Sequence, residues 1–149
     1  MARILVQQED FDLGQEIAAL KSDNNNIGAI VTFTGTVRDL DRSLKSMTLE
    51  HYPGMTESEL ANIAQEAKQR WPLEGCTIIH RVGRLAPGDN IVLVITASAH
   101  RQAAFEAAEY LMDFLKSRAP FWKKEEIGEE SQWVDAKDSD NVALERWLK

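Results

Sequence analysis

Residues 98–125 read SAHRQAAFEAAEYLMDFLKSRAPFWKKE, and the arrangement of the rest of the chain follows from this stretch. It predicts a long helix from Ser98 to about Ser117, capped by the Ser98 hydroxyl and stopped by Pro120, whose ring cannot continue a helix. His100 and Arg101 then fall in the first turn, Lys116 near the last, and Lys123 and Lys124 just past the elbow Ala119-Pro120-Phe121-Trp122. Cations in a first helical turn face the positive end of the macrodipole, which costs a few tenths to about 1 kcal/mol unless an anion sits there. Two of them placed against that preference point to an anionic ligand.

Outward from this helix, Thr77 to Val82 and Asn90 to Ala99 read as apolar strands joined through the turn-forming Ala86-Pro87-Gly88-Asp89. Thr56-Glu57-Ser58-Glu59 has the form of a capping box, and Leu60, Ile63, Ala64, Ala67 and Trp71 follow at helical spacing until Pro72. Gly28 to Arg38 (GAIVTFTGTVR) and Ser46 to Tyr52 read as strands, with Asp39 to Lys45 as a charged connecting loop. Arg3 to Gln7 is a short strand, and Asp12 to Lys21 a short helix with Leu13, Ile17 and Leu20 on one face, ended by the polar run Ser22 to Asn26. Beyond Trp122 the chain turns polar, with a short strand expected at Gln132 to Ala136 and a last amphipathic helix carrying Val142, Leu144 and Trp147. Hairpin-like strand pairs mixed with helices predict an α+β fold, a mostly antiparallel sheet with helices packed on it, rather than a doubly wound parallel sheet. No repeat, low-complexity tract or long linker divides the chain, so residues 1–149 are expected to form a single domain.

Composition narrows the function. A formal net charge of −7 argues against nucleic acid or an anionic membrane as the main partner, because both draw affinity from an excess of Lys and Arg. An anion must therefore be bound by cations gathered locally. MARILVQQED is too weakly apolar for a signal peptide, and no stretch approaches the roughly 20 apolar residues of a membrane span, so a cytoplasmic location is expected. Cys76 is the one cysteine and lies in the apolar run CTIIHRVG, where a small buried thiol is expected rather than a reactive one. His51, His80 and His100 show no HxxxH or HxH spacing, and neither a metal site nor a bound cofactor is expected. His51 and His80 read as packed or surface histidines on strands. No GxGxxG or Walker loop is present. Ser98 with His100 reads as a cap and a ligand-facing imidazole rather than a nucleophile and its base.

Lys116 and Lys123 flank the stiff proline and aromatic elbow, an arrangement that can turn both amines into one pocket. Converging cations bind phosphate and disfavour one another's charge. A free lysine amine is unprotonated in roughly one molecule in 2,500 at neutral pH, so work as a base requires the charged form to lose on the order of 4 kcal/mol of preference. Desolvation beside other cations can supply that. Arg38, at the end of its strand, is the permanent anion anchor in this reading, because a guanidinium keeps its charge and grips phosphate with two donors.

The segments TFTGTVR (32–38), LEHYPGMTE (49–57), RWP (70–72), IHRVGRLAPGD (79–89), the stretch 98–125 and WVDA (133–136) run in order through nearly the whole chain. Together they closely resemble the large, catalytic subunit of molybdopterin synthase. The resemblance implies an α/β hammerhead with an added small antiparallel sheet. It also implies a sulfurtransferase that converts cyclic pyranopterin monophosphate into molybdopterin by installing the two dithiolene sulfurs. The donor implied is a small ubiquitin-like sulfur-carrier subunit whose C-terminal Gly-Gly bears a thiocarboxylate, and the assembly a homodimer of large subunits within a heterotetramer. By position, Lys116 and Lys123 correspond to the family's active-site lysines and Arg38, His100 and Arg101 to its substrate-anion ligands, while Thr36, Val37, Lys124 and Glu125 fall in the matching pocket segments. In that scheme His100 and Arg101 serve the neighbouring protomer's pocket, which makes dimerisation part of catalysis. The pattern departs at Thr36 and Lys137, where some members carry Lys and Arg, so the outer anion contacts differ.

A competing reading is a non-catalytic module that captures a partner's C-terminal carboxylate on the same basic cluster. It leaves two amines on a stiff turn without a purpose. An acyl or phosphoryl transferase for another small molecule lacks a nucleotide motif and a nucleophile pair.

Overall fold

A computed structural model describes residues 2–39, 44–127, 130–134, 144–145 and 147. The elements in chain order are β1 (Ala2–Gln7), α1 (Leu13–Lys21), β2 (Ala29–Thr36), β3 (Leu44–His51), α2 (Met55–Arg70), β4 (Leu73–Arg81), β5 (Gly83–Leu85), β6 (Asn90–Ser98), α3 (Arg101–Arg118), β7 (Phe121–Ile127) and β8 (Glu130–Val134). They build two four-stranded sheets, β1-β4-β6-β2 and β5-β3-β7-β8. Among the described residues only the β1–β4 pair is parallel, so the fold is α+β and dominantly antiparallel, as the order of elements implies.

The central strands β4 and β6 are apolar almost throughout because both faces of the first sheet are covered. Alternate residues serve opposite layers. Cys76, Ile78, Val92 and Val94 meet Leu60, Ile63, Ala67, Tyr110, Leu111 and Phe114 of α2 and α3. Ile79, Leu93 and Ile95 face Ile17 and Leu20 of α1. Each fully buried Leu or Ile here contributes about 1.5–3 kcal/mol. The second sheet closes on a smaller core of Val37, Leu44, Met47, Leu49 and Leu85, with Ile127 packed against it.

Several expectations are corrected. β2 and β3 do not pair; β2 pairs with β6, while β3 lies between β5 and β7 in the other sheet, where Leu44, Met47 and Leu49 find apolar partners. β5 and β7 are strands that local patterning does not announce. The Ser98 hydroxyl does not cap α3. β6 continues through Ser98, whose Oγ donates to the Pro72 carbonyl at 2.8 Å, and His100 takes the N-cap position without a side-chain cap bond. The expected capping box does not form at Thr56, whose hydroxyl bonds the Tyr52 N–H and the Pro120 carbonyl. α2 starts at Met55 with Gly54 as N-cap at φ 87°, a conformation glycine tolerates best, and Glu57 accepts from the Gly54 N–H at 3.4 Å. The strand expected at Gln132 to Ala136 begins earlier, as β8, and Ala136 lies outside the described residues. Of the last helix, Leu144 and Glu145 are helical and Val142 lies outside the described residues, as does Lys137. Leu144 and Trp147 pack against the first core.

Candidate functional site at the proline elbow

α3 ends at Arg118, and the Phe121 N–H returns to the Ala119 carbonyl at 2.9 Å, a three-residue turn centred on Pro120. The chain passes there from the helix layer of the first sheet into the second sheet. Along β7 successive side chains face opposite ways. Phe121, Lys123 and Glu125 stand in register with His51, Leu49 and Met47, the face that carries the second core. Lys124 lies on the other face, its amine 5.7 Å from the centre of the Trp133 ring.

The Phe121 ring stacks on His80 with centroids 3.8 Å apart. His80 is 5% exposed, and its Nδ1 lies 2.8 Å from the Arg81 carbonyl, so Nδ1 carries the proton of the neutral ring. Burial drives its pKa down to about 4; the bond to Arg81 opposes this, and the charges of Lys116 and His51 add to it. Lys116 thus bears on the same buried imidazole against which Phe121, two residues before Lys123, is stacked. His80 thus relates to both flanks of the elbow, through the charge of Lys116 on one side and the ring of Phe121 on the other.

Arg38 joins them from the first sheet. Val37 is buried in the second core, its N–H bonded to the Asp89 carbonyl at 2.9 Å and its carbonyl to the Gly88 N–H at 2.8 Å. That clamp presents Arg38, which is exposed, at the end of β2 beside the exposed Thr36. Thr36 pairs with Asn90, and Ala29 with Ser98 at the other end. α3 runs back along β6, with the Thr96 hydroxyl on the Ala104 carbonyl near its start and Lys116 bearing on His80, opposite Val92, near its end. Arg38 and Lys116 therefore share one end of the molecule.

His100 and Arg101 do not. The 15 residues from Arg101 to Lys116 in one helix separate them by about 22 Å. Both are exposed and line an open cleft of about 420 Å³ with Gly28, Ala29, Ala99 and Gln102. A Cβ on Gly28 would lie 2.2 Å from the Ala99 carbonyl oxygen, so only glycine lets β2 begin this close to α3. Within one chain the candidate anion ligands form two groups, Arg38 with the lysines and His100 with Arg101.

Two residues outside the candidate set belong to the elbow. His80 carried no signal beyond that of a packed histidine, which it also is. Thr56, read as a cap, is fully buried and bonds the elbow itself. Arg118 is fixed to α2 through Glu59 Oε1 and Glu66 Oε2, each at 2.8 Å. Beside the elbow, Glu50, His51, Tyr52, Trp122 and Trp133 line an open aromatic cleft of about 440 Å³. Among the described residues no group of three or more His, Cys, Asp or Glu is placed to hold a metal ion.

Comparison with known proteins places this geometry among relatives. A family model described as MoaE protein matches residues 6–118. The chain is 57% identical over 146 residues to a molybdopterin synthase catalytic subunit of Mesorhizobium japonicum, covering 97% of this chain and 92% of that one. It is also 57% identical to the Pseudomonas aeruginosa protein of the same name, with 97% of each covered. The solved molybdopterin biosynthesis MoaE protein from Burkholderia ambifaria superposes with a TM-score of 0.87 at 53% identity, over 100% of this chain and 99% of that one. At the level of fold alone, a chain from the Helicobacter pylori complex of subunits 1 and 2 of molybdopterin-converting factor superposes with a TM-score of 0.74 at 20% identity, over 91% of each chain.

Proposed function

The chain belongs to the MoaE protein family, and from that membership we propose how its geometry does the family's work. It acts as the catalytic subunit of a molybdopterin synthase, a sulfurtransferase that forms the dithiolene of molybdopterin, and it works in complex with a small partner subunit. Family membership sets aside the non-catalytic alternative. In our reading the partner is a ubiquitin-like sulfur carrier with a C-terminal Gly-Gly thiocarboxylate, and the acceptor is cyclic pyranopterin monophosphate.

Arg38 grips the phosphate, Lys116 assists attack by the thiocarboxylate sulfur and handles the proton, and Lys123 stabilises the negative charge that develops. Glu125 shares the inward face of β7 with Lys123. Thr36 and Val37 frame Arg38, and Lys124, on the reverse face, serves the outer rim beside Trp133. The observation that supports this assignment most directly is the place of His80, which feels the charge of Lys116 on one flank of the elbow and stacks on Phe121 at the other.

A second protomer completes the anion site in this reading. β2 is an edge strand of the first sheet, with Phe33 40% and nearby Phe105 on α3 60% exposed, an apolar edge of the kind that favours association. A two-fold contact there reverses the direction of the facing strand. It lays the His100 and Arg101 end of one protomer against the Arg38 and Lys116 end of its neighbour, giving a homodimer at the centre of a heterotetramer.

Lys116→Ala is the primary test. Product formation from thiocarboxylated partner and cyclic pyranopterin monophosphate should disappear while the complex with the partner still assembles. Wild-type turnover in that variant would remove Lys116 from the mechanism.

A further inference from the structure

The Thr56 hydroxyl makes two hydrogen bonds, and the residue has no exposed surface. Its Oγ accepts from the Tyr52 N–H at 3.1 Å and donates to the Pro120 carbonyl at 3.0 Å. The Thr56 N–H also reaches the Tyr52 carbonyl at 2.9 Å. The hydroxyl therefore ties three segments at one point: the residue after β3, the first turn of α2, and the proline of the elbow. Pro120 lies between Lys116 and Lys123, so its placement fixes how the helix carrying one amine meets the strand carrying the other. A fully buried hydroxyl is kept in an apolar surrounding only while both of its bonds are made.

We propose that Thr56 is a positioning residue for sulfur transfer, its hydroxyl holding the Pro120 elbow so that Lys116 and Lys123 keep their mutual geometry. The inference rests on the assignment of those lysines given above. It adds a residue that touches neither reactant and acts through the backbone of the elbow. A reacting group displaced by about 1 Å costs on the order of 100-fold in rate, and loss of the hydroxyl's tether to a turn of three residues permits a displacement of that order.

The test compares Thr56→Val, which keeps the volume and removes the hydroxyl, with Thr56→Ser, which keeps the hydroxyl. Turnover is measured in the complex with thiocarboxylated partner and cyclic pyranopterin monophosphate, well below the melting temperature of each variant. The valine variant is expected to lose about 10- to 100-fold in kcat with KM for the pterin changed less than about threefold. The serine variant should restore kcat to within about threefold of wild type. If the valine variant does not fold, Thr56→Cys, with similar volume and a weaker donor, replaces it and should show an intermediate loss. Wild-type kcat in the valine or cysteine variant overturns the proposal, as does a loss confined to KM or to melting temperature, or a serine variant no better than valine. Lys116→Ala is run alongside. Activity retained there refutes the lysine assignment, whereas an inactive Lys116→Ala with a fully active Thr56→Val refutes the positioning role alone.

Discussion

If His100 and Arg101 hold the phosphate in the neighbouring protomer's pocket, as proposed, two inactive chains must be able to repair each other. Arg101→Ala and Lys116→Ala remove groups that lie about 22 Å apart on one helix, too far to meet over one phosphorylated pterin. Removing a charge-assisted phosphate contact costs about 2–5 kcal/mol, so each variant alone should fall by well over tenfold. Random mixing of equal amounts gives about half heterodimers. In each heterodimer one pocket carries both lesions, while the other takes Lys116 from one chain and Arg101 from its partner and is intact. About a quarter of all pockets are then wild type. The assay is dithiolene product formed by the co-expressed variants with saturating thiocarboxylated partner, against either variant alone and against wild type. Recovery to about one quarter of wild-type turnover is expected. A mixture no more active than the mean of its components, under conditions where exchange of protomers is demonstrated, would refute the shared pocket.

Two further outcomes follow from buried titratable groups. Burial pushes the Cys76 thiol up to about 12, so an aromatic disulfide reagent at pH 8 should modify it only on unfolding, and prompt stoichiometric labelling of folded protein would contradict its placement in the core. His80, with a folded pKa of about 4 against an ordinary 6.5, resists a proton that the unfolded chain accepts. Its contribution is fully present above pH 6.5, is lost as pH falls towards 4, and levels off below that, a total on the order of 3 kcal/mol. Urea unfolding at pH 7 and pH 4.5 should show this excess acid loss in wild type and not in His80→Asn; equal losses in both would count against it.

The parts of the fold that were legible in the sequence are those whose residues carry their own signal. Cys76 to Ile79 and Val92 to Ile95 are covered by two layers, and Asp12 caps α1 through the Gln15 N–H, so these elements emerge from the sequence, β6 and α1 with nearly correct ends and β4 beginning at Leu73, four residues before the expected Thr77. β7 failed that test. Trp122-Lys123-Lys124-Glu125-Glu126 shows no alternation, since its partly buried face carries the charged Lys123 and Glu125 and its ladder is supplied by β3. Nothing in Ser46 to Tyr52 marks β3 for the second sheet, because its partners β5 and β7 come from distant parts of the chain. Thr56 matched a capping pattern two residues from the true start, and Gly54, with its positive φ, was the better marker. The site was half legible. The helix pattern already sets His100 and Arg101 a helix length from Lys116, whereas Arg38 reaches the Lys116 end only through the pairing of β2 with β6, which no local pattern shows.

The position of the elbow explains why so much bonding converges on it. Lys116 is carried by a helix of the first sheet and Lys123 by a strand of the second, and the chain between them is one short turn. Sliding of the two layers would be transmitted directly to the distance between the amines. The contacts that oppose such sliding are those found here: Arg118 to Glu59 and Glu66 before the turn, Thr56 on the Pro120 carbonyl at the turn, and His80 of the first sheet stacked on Phe121 of the second after it. All three anchors come from α2 or β4, elements of the first layer. The second sheet is thus held to the first at the turn between Lys116 and Lys123, and if those lysines act as proposed, loosening any one anchor should reach the chemistry before it reaches global stability.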